Sequence, residues 1–154
     1  MTSRLLTQRE KALVASVFGD AIALEHVEIC NHKWFPFQPV RTVMAPRGHI
    51  HFHPRGDLFK PDYAQESLGL QGLFIHEMVH VWQHQKGIFL PLKRHPFCRY
   101  HYTLKPGWRL ERYGIEQQAE IVRHAFLLRE GALIAGAPPL EQYLGILPFS
   151  GFKA

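Results

Sequence analysis

His76-Glu77-Met78-Val79-His80 is the feature that most limits what this chain can become, because it lies inside an apolar stretch that reads as a helix. At 3.6 residues per turn, positions i and i+4 stand about 40° apart on one face, so both imidazoles can reach one cation. Glu77 then sits beside the remaining coordination position. Two neutral nitrogen ligands and a carboxylate able to take a proton from the attacking water suit zinc-dependent hydrolysis. Five letters can arise by chance in a chain of 154 residues with 11 histidines, so the surrounding sequence has to carry the argument.

A catalytic zinc normally has three protein ligands. The metzincin form needs Gly at 83 and His at 86; Gln83 and Lys86 stand there. His84 lies two turns from His76, about 12 Å along the axis, too far for easy convergence on one ion. The segment from Gly114 to Ile121 is the better source. Glu116 and Glu120 share one helical face amid Ile115, Ala119, Ile121 and Val122, and carboxylates on an apolar helix need a partner. The expected division makes Glu116 the third ligand, with Glu120 accepting an N–H from a liganding histidine. The two roles could be exchanged. The other reading of these acids is a solvated face paired with Arg112 or Arg123. For the oxyanion, Tyr113 is the expected donor, with His84 and His101 as alternatives.

The rest of the chain reads as one domain. Thr7-Gln8-Arg9-Glu10 has the form of a capping box opening a helix at 8–18, closed by Gly19. Short strands are expected at 26–30, 42–44 and 49–53, separated by the aromatic and proline loop 34–39. His49, His51 and His53 alternate along the third. With no carboxylate or cysteine beside them in sequence, they are expected to form a solvent-facing row opposite Ile50 and Phe52 rather than a metal site. The HExxH helix should run from 68 to 86, with Gly87 just past its end, and the next from 115 to 129, closed by Gly131. A hairpin is expected around Lys105-Pro106-Gly107, and a short helix after Ala137-Pro138-Pro139.

Composition excludes several classes. The chain is 46% hydrophobic and 20% charged, ordinary for a folded domain. No apolar run is long enough to span a membrane. Arg4, Arg9, Glu10 and Lys11 break any leader-like segment at the start, so the chain is expected to be cytoplasmic as synthesised, with export only by a dedicated machine. Cys30 and Cys98 are expected to be two buried thiols. Net charge is +5, with much of the excess in 93–112, where Lys93, Arg94, Arg99, Lys105, Arg109 and Arg112 mix with aromatic residues. A solvated basic face is expected there, and a nucleic-acid partner is not.

The set His76-Glu77-x-x-His80 with Glu116-x-x-Ala119-Glu120 resembles the gluzincin, thermolysin-like pattern. More closely, it resembles a small bacterial zincin-like domain found in Rhs/Vgr-related and polymorphic-toxin proteins, with its G-x-I-x-F, H-E-x-x-H-V-x-Q and E-x-x-A-D elements. Here these are Gly48 to Phe52, His76 to Gln83, and Glu116 to Glu120; Phe18-Gly19-Asp20 and Val27-Glu28-Ile29 fit its opening. The resemblance covers roughly 7–125. It implies a metallopeptidase fold in which the 48–52 strand is the sheet edge that pairs with extended substrate. It also implies deployment as a secreted antibacterial effector, with a secretion apparatus and an immunity protein as partners. Glu120 stands where that group has Asp, and the chain lacks a separate lower domain.

The expectation is therefore a compact α+β zincin-like domain, a small sheet packed on the 68–86 and 115–130 helices. It would bind Zn²⁺ through His76, His80 and Glu116 and hydrolyse a peptide or protein with Glu77 as base. The alternative is a metal-stabilised, non-catalytic adaptor of a secretion system.

Overall fold

The capping box forms as the sequence predicts. Thr7 Oγ1 accepts the Glu10 N–H at 3.0 Å, and Glu10 Oε1 accepts the Thr7 N–H at 2.9 Å. This opens helix α1, Gln8–Phe18, in a computed structural model that describes residues 2–88, 90 and 100–152. Glu10 does more than cap. Its side chain is fully buried, takes a bidentate contact from Arg4 at 2.8 and 2.9 Å, and accepts the Tyr63 N–H at 2.8 Å. One carboxylate thus ties the N-terminal strand, α1 and the 3₁₀ turn Tyr63–Gln65 together. Glu10→Ala should cost about 3 kcal/mol, the low end for breaking a buried pair, because Arg4 is 21% exposed and can turn to water. Chemical denaturation measures this, and a loss below about 1 kcal/mol would contradict it.

Three short strands make the sheet, in the order β1 (Ser3–Leu5), β2 (Glu28–Cys30), β3 (Ile50–His51). β1 pairs antiparallel with β2, and β2 parallel with β3. β1 carries too few residues for an alternation to be read from sequence. The strand expected at 26–30 shortens to Glu28–Cys30, since 25–26 form a turn. The one expected at 42–44 reduces to Met44, whose N–H and C=O both bond His51, at 3.1 and 2.7 Å. The Met44 segment therefore covers the outer side of β3 at His51, the edge that the resemblance had left open for substrate.

The histidine row is corrected by the same shortening. His49 Nδ1 accepts the Glu28 N–H at 3.0 Å, and buried His53 accepts the Arg55 N–H at 3.1 Å. His51 is half-buried beneath the 34–44 loop, where Gln38 Nε2 donates to its carbonyl at 3.1 Å. With only two residues in the strand, 49 and 53 leave the alternation, and Gln38 ties the proline-rich loop to the His51 carbonyl.

Helix α2, Leu68–Gln85, starts at Ser67, whose hydroxyl accepts the Leu70 N–H, and ends before Gly87 at φ 90. Residues 74–83 are buried without interruption, as a sequence apolar on all sides requires. Helix α3, Ile115–Arg129, packs along it. Gly72 permits the approach: a Cβ there would stand 3.2 Å from Leu127 Cδ2 and 3.4 Å from Arg123 Nε. β3 also meets α2, so α2 is the main link between sheet and α3.

The short helix α4, Leu140–Leu144, follows the proline pair as expected. The terminal turn Ser150–Phe152 closes on α1, where a Cβ on Gly151 would come within 2.5 Å of Val17 backbone. Phe149 packs edge-on against Phe18 and Trp82, joining α1 to α2. The Lys105-Pro106-Gly107 turn forms with Gly107 at φ 79, but no strands flank it among the described residues, so the expected hairpin is absent there. Lys105 and Arg112 instead stack on Trp108 at 4.6 and 4.5 Å, and Arg109 donates to the Gly145 carbonyl. Lys93, Arg94, Arg99 and Cys98 lie outside the described residues. Cys30 is a buried thiol. No helix among the described residues is long and apolar enough to cross a membrane.

Candidate metal centre

Helical spacing puts His76 and His80 on one face of α2, and the packing of α3 brings Glu116 to meet them. Glu116 Oε1 lies 3.2 Å from His76 Nε2 and 3.0 Å from His80 Nε2, and all three residues are buried. The three ligand atoms lie within 4.8 Å of one another. Bonds of about 2.0–2.2 Å at tetrahedral angles separate ligand atoms by about 3.3 Å, so the two separations from Glu116 Oε1 are within a few tenths of an ångström of those a bound ion needs.

The other nitrogen of each imidazole is held from behind. His76 Nδ1–H donates to Glu120 Oε2 at 2.9 Å, and Arg123 donates to both Glu120 oxygens at 3.1 and 3.3 Å. His80 is held by a chain of amides. Gln118 Nε2 donates to the Tyr113 carbonyl at 2.8 Å, so its oxygen faces Gln83. Gln83 Nε2 donates to that oxygen at 2.9 Å and to the Ile115 carbonyl at 3.0 Å. Gln83 Oε1 must therefore accept, and its partner at 2.8 Å is His80 Nδ1–H. Two backbone carbonyls thus set the tautomer of His80 through a buried relay.

With both Nδ1–H groups turned outward, both Nε2 lone pairs face a carboxylate oxygen. Acceptor against acceptor requires a positive charge between them, either a proton or a metal cation. The protein's own groups register that demand. Burial opposes a charge on His76, yet hydrogen bonds to Glu116 and Glu120 outweigh it and lift its pKa to about 10. Burial would likewise raise Glu116, but the two histidines hold its carboxyl far below the usual carboxylate range. Glu120 follows the same pattern: burial pushes it up, and His76 and Arg123 bring it down. The residues fit a zinc-class cation.

Glu77 is outside this trio and 5% exposed. It lines a polar hollow of about 310 Å³ with His76, Glu120, Arg123 and Tyr100. On the other flank an apolar cavity of about 240 Å³ is bounded by Trp34, Phe35, Met44, Leu90, His80 and Glu116. Thr42 and Val43 line the hollow, and Met44, Ala45 and Pro46 the cavity, so one extended segment runs past both.

Tyr113 does not join the group. Its hydroxyl accepts the Lys105 N–H at 2.9 Å, its ring meets Trp108, and it lines neither flanking recess. The residue sits one turn before Glu116 in sequence, but the 3₁₀ turn Leu110–Arg112 and the start of α3 aim it at the 105–108 turn. His84 packs against the Gly48 turn, and His101 contributes its carbonyl to Gln117. Tyr100 is the aromatic residue at the site, its ring stacked 6.1 Å from that of His76. Sequence reasoning passed over it because nothing local marks it. Gln83 was readable in principle, three residues from His80 and so on its helical face. Gln118 was recognisable only through the α2–α3 packing, whereas Arg123, three residues from Glu120 on the same helix, pairs with it as one reading of the sequence expected.

The fold and site together define a small α+β domain, with a three-stranded sheet and four helices among the described residues, whose two central helices bring His76, His80 and Glu116 to one point and set Glu120 behind His76. No family model matches the chain. It is 43% identical over 134 residues to the type VI secretion system spike protein VgrG2b of Pseudomonas aeruginosa, a match covering 80% of this chain and 13% of that protein. The solved effector domain of that VgrG2b superposes with a TM-score of 0.79 at 38% identity, over 95% of this chain and 84% of the domain. The chain belongs to the family of the VgrG2b effector domain.

Proposed function

We propose that this domain is a zinc-dependent peptide hydrolase of zincin-like type, deployed as an effector of a type VI secretion system. The observation that carries the reading is the convergence of His76 Nε2, His80 Nε2 and Glu116 Oε1 beside the carboxylate of Glu77. His76, His80 and Glu116 would hold the ion, which when bound supplies Lewis acidity to the attacking water and the scissile carbonyl. Glu77 takes the proton from the attacking water and returns it to the leaving amine. Glu120 and the Gln83–Gln118 relay keep both imidazoles oriented with their Nε2 atoms inward. Tyr100, beside His76, is the donor proposed for the developing oxyanion in place of Tyr113.

An extended substrate fits the Val43–Ala45 segment. Met44 turns its backbone groups to His51, so those of Val43 and Ala45 face the opposite way, toward an added strand. The cavity bounded by Trp34, Phe35 and Leu90 would take an apolar side chain next to the scissile bond. Delivery by a secretion spike is proposed from the kinship to the effector domain.

The test is hydrolysis of a mixed peptide library by the zinc-loaded protein. Chelation should abolish cleavage and stoichiometric zinc restore it. Cleavage that survives removal of all metal, or none under any loading, would count against the proposal.

A further inference from the structure

The parallel register of β2 on β3 sets Cys30 opposite His51, on the face away from Ile29 and Ile50. His32, two residues beyond Cys30, returns to the same face, and its ring stands edge-on to His51 at 5.2 Å between centroids. A thiol and two imidazoles so gathered each offer a ligand atom, and the three atoms lie within 4.8 Å of one another. From this geometry we propose a second metal site, a Cys30–His32–His51 centre for a thiophilic divalent cation of the zinc class, separate from the His76–His80–Glu116 group.

Three observations support it. First, His51 Nδ1 is buried and makes no hydrogen bond of good geometry among the described residues, the His32 backbone being the polar group beside the ring, and a cation would give that nitrogen a full partner. Second, His32 Nδ1 lies 3.3 Å from the Lys33 carbonyl, the contact that leaves the other ring nitrogen as a lone-pair donor. Third, the chemistry matches: thiolate and neutral imidazole are both zinc ligands, and three protein ligands with water in the fourth position is the arrangement of an open zinc site. Burial and nearby Glu28 push the Cys30 thiol up to about 11, so the free thiol is no nucleophile at neutral pH. A coordinated thiol loses its proton to solvent as the sulfur–metal bond forms, with no redox change. Tetrahedral bonds of about 2.0–2.3 Å place such ligand atoms about 3.3–3.6 Å apart, so the trio has to close by no more than about 1.5 Å. Binding would clamp the end of β2 and the start of the 34–44 loop onto β3. That loop carries Trp34 and Phe35, the wall of the apolar cavity. The second ion would thus stiffen one side of the cleft from behind.

Cobalt reports both sites at once, because only the Cys30 centre gives sulfur-to-cobalt charge-transfer absorption. The chain titrated with Co²⁺ should take two equivalents, one accompanied by that band. Cys30→Ser should remove the band and one equivalent, and His51→Ala should weaken this site at least tenfold, while Cys98→Ser leaves the band intact. His80→Ala should remove the other equivalent and keep the band, so failure of either site is read independently. No sulfur band in the wild type, or a band that follows Cys98, would overturn the proposal. The wild-type and Cys98→Ser spectra decide between these outcomes even where a Cys30 variant does not fold.

Discussion

Glu77→Gln should leave the fold and one zinc at the His76 site unchanged while lowering peptide hydrolysis by about 10²–10⁴-fold, the usual contribution of a positioned general base. The amide matches the carboxylate in shape, and Glu77 is not among the three converging ligands, so metal content should hold. What is lost is the proton acceptor beside the attacking water. Metal analysis, circular dichroism and cleavage rates on the same preparation make the measurement. Undiminished cleavage, or undiminished toxicity to a sensitive bacterium, would remove Glu77 from the mechanism. A variant that has also lost zinc would show the side chain to be structural.

Glu116→Ala and Glu120→Ala should separate sharply in zinc affinity. Glu116 Oε1 faces both Nε2 atoms, whereas Glu120 reaches only His76 Nδ1, on the far side of the ring. Removing a ligand atom should weaken binding by more than about 100-fold, beyond the 10–100-fold typical of groups that orient a ligand. Glu120→Ala should fall within that smaller range, because His76 keeps its place on α2 but loses the acceptor that fixes its ring. Competition against a chelator of known affinity measures both. A larger loss at Glu120 than at Glu116 would exchange their roles. A shorter carboxylate extends the comparison: Glu120→Asp should cost less than Glu120→Ala if the carboxylate serves mainly to accept from His76.

Membership of the VgrG2b effector-domain family bears on the natural setting. The chain spans 13% of the length of the spike protein it matches, so the matched segment of that protein is a small fraction of a much larger assembly component. The likeness lies in the effector domain, where the two folds coincide over most of both chains.

Local sequence carried the elements that depend on local physics. The capping box at Thr7 and Glu10, the unbroken apolar helix around His76, the glycine ends at 87 and 131 and the facing of Glu116 with Glu120 all follow from helix period and backbone sterics. The strands were less readable. At two or three residues each, β1, β2 and β3 leave no room for an alternation, and pairing decides them. Tyr113 went astray for a related reason. One helical turn of sequence separation suggests proximity, but the residue precedes α3, and the chain direction there turns its hydroxyl to Lys105.

By itself, then, the sequence determined the helices, the two-histidine face and the carboxylates able to meet it, because helical periodicity converts spacing into direction. Only the tertiary structure decided which oxygen of which glutamate stands between the imidazoles. It alone placed Gln118 behind Gln83, Tyr100 beside His76, and Cys30 opposite His51. Those relations join residues 21 to 40 positions apart, or depend on the register of a parallel strand pair. They are set by how α3 packs on α2 through Gly72 and how β3 lies on β2, which no local preference encodes.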